Sequence, residues 1–181
     1  RPYFILLIFS IMLSMPGCMK MRTNDRQTIK EFQKKGITVH INRYEKEAIS
    51  IRYIEVNQVD EKAPVVIFVH GAPGSSDVFY EYLSDSSLYS KAVLIAVDRP
   101  GYGFSDFGTS YPSIALQADY LLPLLEENKN REIVLVGHSY GGAIIANMAM
   151  KEEVDGLLFL APAIAPEHEK QFWVTALGEY P

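Results

Sequence analysis

Four unbroken apolar runs, each leading into a loop that contains glycine or proline, constrain this chain more than any other feature. They are Val65–Val69 (VVIFV), Ala92–Val97 (AVLIAV), Ile133–Val136 (IVLV) and Gly156–Leu160 (GLLFL). Strands buried on both faces read this way, and they occur in parallel sheets covered by helices. Ahead of them, Ile37–Ile41 (ITVHI) and Ile49–Val56 (ISIRYIEV) alternate apolar and polar residues, as half-buried strands do. Helical stretches fall between the runs. Asp77–Leu83 is short and aromatic, Ser113–Asn128 has an N-cap at Ser113 and a kink expected at Pro123, and Tyr140–Lys151 is rich in glycine and alanine. Strand and helix in this alternation predict an α/β fold.

Composition narrows the function classes. With 181 residues, 48% hydrophobic and 22% charged, the chain suits one domain with a real core and excludes wholesale disorder, a collagen-like repeat or a multi-span membrane protein. The net charge of −5 gives no basic footprint for nucleic acid. A single cysteine makes no intrachain disulfide, and no Cys/His cluster has zinc spacing.

Charge is uneven along the chain: residues 1–35 carry +5 and residues 36–181 carry −10. Within the basic part, Tyr3–Met15 is apolar apart from two serines. As a helix its 13 residues rise about 20 Å, short of a ~30 Å hydrocarbon core. A basic start, a short apolar stretch and a small residue before a cut are the parts of a secretory signal. Met15-Pro16-Gly17-Cys18 resembles the lipobox of bacterial lipoproteins, although Pro16 departs from the small or β-branched residue usual there. The resemblance implies lipidation of Cys18, export and a membrane-anchored lipoprotein at the bacterial cell envelope. A plain cleaved signal, an uncleaved anchor and an incidental apolar start are the alternatives. Residues 1–18 are thus expected as the signal and 19–35 as a solvated basic tether.

Three loops carry the chemistry. Gly137-His138-Ser139-Tyr140-Gly141 follows a strand and opens a helix, the setting in which G-x-S-x-G forms a tight turn that pushes the serine outward. At the helix N-terminus the free Tyr140 N–H is placed to stabilise a developing oxyanion. His70-Gly71-Ala72-Pro73-Gly74-Ser75-Ser76 follows VVIFV, and its glycines let the backbone turn an N–H, by position that of Ala72, toward a ligand. His70 precedes the turn and reads as a residue that holds the loop. Asp98-Arg99-Pro100-Gly101-Tyr102-Gly103-Phe104-Ser105-Asp106 follows AVLIAV.

HGAPGSS, DRPGYGFSD and GHSYGG, each after a buried strand and in this order, resemble the α/β-hydrolase superfamily over about residues 36–165, most nearly its cap-bearing esterase, lipase and peptidase-like members. The resemblance implies that Ser139 is the nucleophile, that Ala72 and Tyr140 supply oxyanion-hole amides, and that no metal or organic cofactor is needed. It also implies a mostly parallel sheet covered by helices, of which only the first six strands are present, with the two alternating strands as its antiparallel start. A serine at the turn argues against haloalkane dehalogenases and epoxide hydrolases, whose family nucleophile is aspartate.

Family order places the acid and the histidine after Ser139, which argues against Asp98 and Asp106 as the acid. Only His168 follows Ser139, and its neighbours Glu167 and Glu169 mark a solvated helix start; Glu167 is a candidate acid that the reading does not adopt. Residues 166–181 resemble the start of a cap. The expectation is an N-terminal fragment of a serine hydrolase that acts on a small-molecule ester, amide or related acyl substrate through an acyl-enzyme on Ser139. The triad acid and histidine are expected beyond Pro181, and the oligomeric state is left open. The alternative is a non-catalytic binding protein on the same fold. The aromatics Phe79, Tyr80, Tyr82, Tyr102, Phe104, Phe172 and Trp173 are candidates for an acyl pocket, with core or cap packing as the competing role.

Overall fold

The computed structural model describes residues 22–60 and 62–163. A capped helix α1 (Asp25–Lys34) is followed by strands β1 (His40–Lys46), β2 (Ile49–Val56) and β3 (Val65–Val69). Next come a 3-10 turn (Ser76–Phe79), the short helices α2 (Tyr80–Leu83) and α3 (Ser86–Tyr89), and β4 (Val93–Val97). Helix α4 (Ile114–Asn128), β5 (Ile133–His138), α5 (Tyr140–Ala149) and β6 (Gly156–Leu160) complete the order.

The six strands form one sheet in the order β1-β2-β4-β3-β5-β6. β1, β2 and β4 pair antiparallel, and β4, β3, β5 and β6 pair parallel. The unbroken apolar runs are explained by cover on both faces. Val65, Ile67 and Val69 with Val93, Ile95 and Val97 meet α4 and α5 through Leu121, Leu124, Ile144, Ile145 and Met148. The intervening Phe68, Leu94 and Ala96 meet Phe79, Tyr80, Leu83 and Phe32 on the other face. At the β6 edge, Leu157, Leu158 and Phe159 remain exposed.

Two expectations need correction. Residues 25–34, read as part of a solvated tether, are a helix docked on the sheet. Both ends of α1 are closed by local chemistry. Asn24 and Gln27 form a reciprocal capping box, and at the other end the Ile37 N–H donates to the Phe32 carbonyl and the Gly36 N–H to that of Gln33, with Gly36 at φ +73°. Phe32 is buried edge-on to Tyr80, ring centres 5.1 Å apart, and the Thr28 and Tyr80 hydroxyls lie 2.6 Å apart. Net charge hid a single buried stripe on an otherwise polar helix. The first strand also begins later than the alternation in ITVHI suggested, at His40, because Ile37 is taken up by the closure of α1 and buried with Phe32.

Pro123 sits inside a helix that continues to Asn128. Proline has no N–H to give the carbonyl four residues earlier. That carbonyl, of Asp119, accepts instead from Lys46 Nζ, and the next one, of Tyr120, accepts from the Tyr44 hydroxyl at 2.7 Å. The edge strand β1 thus satisfies the proline's lost bond. Among the described residues no helix is long and apolar enough to cross a membrane.

The docking of α1 can be measured. Phe32→Ala removes a buried ring, worth about 3 kcal/mol in a core, but the loss is capped by the docking free energy of α1 itself. The expected outcome is faster limited proteolysis around Gly36 at an otherwise native circular dichroism spectrum; unchanged cleavage would show that Phe32 does not hold the helix.

Candidate active site

The three loops meet at the C-terminal edge of the parallel strands. Ser139 joins β5 to α5 with φ +51° and ψ −122°, a region that non-glycine residues avoid and that costs on the order of 1–3 kcal/mol. The backbone on either side holds it there. The Ser139 N–H donates to the Leu160 carbonyl at 3.0 Å, and its own carbonyl accepts from Gly142 and Ala163, each at 2.9 Å. Space enforces the rest. A Cβ on Gly141 would lie 2.1 Å from the Val69 carbonyl oxygen, and one on Gly137 would lie 2.7 Å from that of Gly141. The glycines of G-x-S-x-G are therefore the points where helix α5 presses on β3 and on its own turn. The side chain of Ser139 is half-buried, and its Oγ has no hydrogen-bond partner among the described residues.

Gly71 brings the second loop against this turn: a Cβ there would lie 2.8 Å from Ser139 Cβ. Ala72, next to it, and Tyr140, next to Ser139, line one cleft of about 550 Å³ together with Tyr102, Tyr111 and Gln117. As the first residue of α5, Tyr140 has an N–H without a partner inside the helix. The Ala72 N–H has no partner among the described residues. On the other side of Ser139, His138 joins Val78, Phe79, Tyr82 and Leu160 around a smaller apolar pocket of about 240 Å³.

His70 is fully buried. Its Nδ1 donates to the Gly71 carbonyl at 2.7 Å, and its Nε2 accepts from the Arg99 N–H at 3.1 Å. Burial, with the nearby Arg99 charge, pushes its pKa down to about 3. A neutral ring with both nitrogens engaged holds the loop, as expected for this position, and cannot take a proton from Ser139.

Asp98 is also fully buried. Its carboxylate accepts from the Ser76 N–H at 2.7 Å, the Phe104 N–H at 3.0 Å and Arg52 Nη1 at 2.9 Å. Gly103, at φ +55°, passes so close that a Cβ would sit 2.2 Å from the Asp98 Cγ. Asp106 accepts from the Tyr111 hydroxyl at 2.5 Å. Among the described residues neither carboxylate bonds an imidazole.

Of the aromatics considered for an acyl pocket, Phe79 and Tyr82 line the smaller pocket and Tyr102 the larger cleft. Tyr80 is core, and Phe104 lies under the guanidinium groups of Arg22 and Arg52, at 4.7 and 5.2 Å from its ring centre. Phe172, Trp173, Glu167, His168 and Cys18 lie outside the described residues. Among the described residues no group of three or more His, Cys, Asp or Glu side chains is placed to hold a metal.

Comparison with known proteins bears on the fold that holds these loops. The family profile for the alpha/beta hydrolase fold matches residues 64–180. The chain belongs to the α/β-hydrolase family. Among curated relatives it is 30% identical over 139 residues to a 1-acylglycerol-3-phosphate O-acyltransferase of Arabidopsis thaliana, covering 68% of this chain and 32% of that protein. It is 32% identical over 123 residues to a proline iminopeptidase of Saccharolobus solfataricus, covering 65% and 39%. The chain thus spans between about a third and two-fifths of these two relatives' length. A haloalkane dehalogenase of Bradyrhizobium elkani superposes with a TM-score of 0.60 at 28% identity over 69% of this chain and 42% of that one. A putative lipase of Acinetobacter baumannii, at 18% identity, shares the fold with a TM-score of 0.67 over 90% of this chain and 54% of that one.

The strain at Ser139 has a signature separate from chemistry. Glycine relieves the positive φ, whereas alanine keeps it while removing Oγ. Allowing for the greater freedom of an unfolded glycine, Ser139→Gly should be more stable than Ser139→Ala by about 1 kcal/mol in urea unfolding. The reverse order would show a relaxed turn.

Proposed function

We propose that Ser139 is the nucleophile of a serine hydrolase that acts on a small ester, amide or related acyl substrate. The observation that carries the reading is the strained Ser139 turn, set beside a cleft on which Ala72 and Tyr140 both open. Ser139 Oγ gives up its proton to a base as it attacks the substrate carbonyl carbon, the carbonyl electron pair moves onto its oxygen, and that proton later goes to the leaving group. The Ala72 and Tyr140 N–H groups receive that oxyanion; each such donor is worth roughly 10²–10³ in rate. Collapse expels the leaving group and leaves an acyl-enzyme, which water then cleaves. The same intermediate passes its acyl group to another acceptor in an acyltransferase.

Activation of Ser139 needs a base that the described histidines do not supply: His70 is occupied, His40 lies on the edge strand β1, and His138, the residue before Ser139, faces the small apolar pocket and makes no hydrogen bond to Ser139 Oγ. The proposal assigns the histidine and its acid to the part of the relatives' length that this chain does not span.

Export is part of the same reading, supported by the Tyr3–Met15 run and by Cys18 after Gly17. Arg22 is already fixed to the body, donating to the Gly103 carbonyl at 2.8 Å. Four residue steps from Cys18 reach at most about 14 Å. A lipid on Cys18 would therefore hold the loop around Gly103 close to the membrane surface.

Activity-based labelling separates the enzyme from a non-catalytic member of the family. A fluorophosphonate probe should label the full-length protein and fail to label Ser139→Ala; absence of Ser139-dependent labelling counts against catalysis. Cys18→Ser should move the protein from the membrane to the soluble fraction, and unchanged partition rejects lipidation.

A further inference from the structure

The Ala72 N–H belongs to the same peptide unit as the Gly71 carbonyl. In a trans peptide the two groups point in opposite directions, so whatever fixes the carbonyl also aims the N–H. The Gly71 oxygen accepts two hydrogen bonds, from His70 Nδ1 at 2.7 Å and from Arg99 Nη2 at 3.1 Å.

Arg99 is an unusual donor for this task. It is fully buried, with Nη1 donating to Gln117 Oε1 at 2.6 Å and with the Tyr102 and Tyr140 ring centres 4.2 and 5.0 Å from its Cζ. Among the described residues its Nε is buried without a partner and no carboxylate pairs with it. Burying a guanidinium without a counter-charge is costly, and an amide or hydroxyl could hold one carbonyl without that cost.

We propose that Arg99 is a positioning residue for the oxyanion site. It locks the Gly71–Ala72 peptide with its N–H toward the cleft and polarises that N–H through the carbonyl. This rests on the reading of Ser139, Ala72 and Tyr140 given above. A charged donor on a carbonyl makes the N–H of the same unit a stronger donor, because hydrogen bonds in series reinforce one another. With no carboxylate beside it among the described residues, the positive field of Arg99 also reaches the cleft. A neutral substrate carbonyl gains little from this, whereas the oxyanion gains fully, so the effect falls on kcat and not on KM.

The test uses p-nitrophenyl acetate with the full-length protein, active sites counted by end-point fluorophosphonate labelling. Arg99→Lys keeps a buried charge but loses the planar fork that spans Gly71 and Gln117. It should lower kcat at least tenfold with KM within twofold. A merely structural arginine would lower the melting temperature and leave kcat per active site at the wild-type value, and that result overturns the proposal. If Arg99→Lys lacks a native circular dichroism spectrum, Gln117→Leu decides in its place: it frees Nη1 from its anchor and should lower kcat at least threefold at constant KM, while wild-type kcat overturns the proposal. Ser139→Ala separates the two readings. If that variant still hydrolyses the ester, the nucleophile assignment fails and Arg99 falls with it; if hydrolysis needs Ser139 but not Arg99, the nucleophile stands and only this inference is lost.

Discussion

The ion pair between Arg52 and Asp98 is the constraint on which the loops around the site depend. Both side chains are buried, at 1% and 0% exposure. Asp98 closes the turn after β4 onto Phe104 and draws in the Ser76 N–H from the loop after β3. Arg52 passes the connection on to Asp25 at 2.8 Å, tying helix α1 to the same point. Such a pair adds little net stability over an apolar replacement, but losing either partner leaves an uncompensated buried charge, worth about 3–5 kcal/mol. What the pair supplies is position. Burial alone would raise the Asp25 pKa, yet Arg43 and Arg52 together hold it below the ordinary carboxylate range. The anchor of α1 therefore stays charged at neutral pH.

Position matters because the Ser139 turn has no slack. Its φ of +51° is kept by backbone bonds to Leu160 and Ala163, at the exit of β6, and by the approach of α5 to β3. Gly71 closes on the same spot from the opposite side. Three chain segments from three strands converge within van der Waals distance of one serine, and each arrives from a sheet position fixed by parallel pairing. A small shift of the loop after β3 would either strike Ser139 or open the cleft. The Asp98 cluster, which grips that loop at Ser76, sets its distance from the turn.

Much of this was legible in the sequence because it is local. Apolar runs covered on both faces, the Ser113 N-cap and the glycine spacing around Ser139 are each written within a few residues. The docked helix α1 was also local: Asn24 and Gln27 in capping-box spacing, and Gly36 after two lysines, mark its ends, but a strong positive charge drew attention to solvent instead. The buried ionic network is different in kind. Asp25, Arg52 and Asp98 are separated by 27 and 46 residues, and no spacing rule links them. Asp98 could be weighed only as a candidate acid, because its true partners come from β2 and from the loop at Ser76. Arg99 was equally silent, since its significance lies in whose carbonyl it reaches.

The two buried arginines show how the same side chain does opposite work around one aspartate. Arg52 pairs with Asp98 and Arg99 follows it in sequence. Burial would lower the pKa of Arg52, but Asp98 and Asp25 outweigh it and the group is held above its ordinary value. Arg99 is shifted the other way: burial lowers its pKa, and Tyr102 and Tyr140 offset this only in part. An arginine stays protonated in either case. The difference is therefore in the field each projects. Arg52 is neutralised where it stands and acts as a rivet between α1, β2 and the loop at Asp98. No carboxylate among the described residues neutralises Arg99, and the carbonyl it grips is that of Gly71, in the peptide unit that carries the Ala72 N–H.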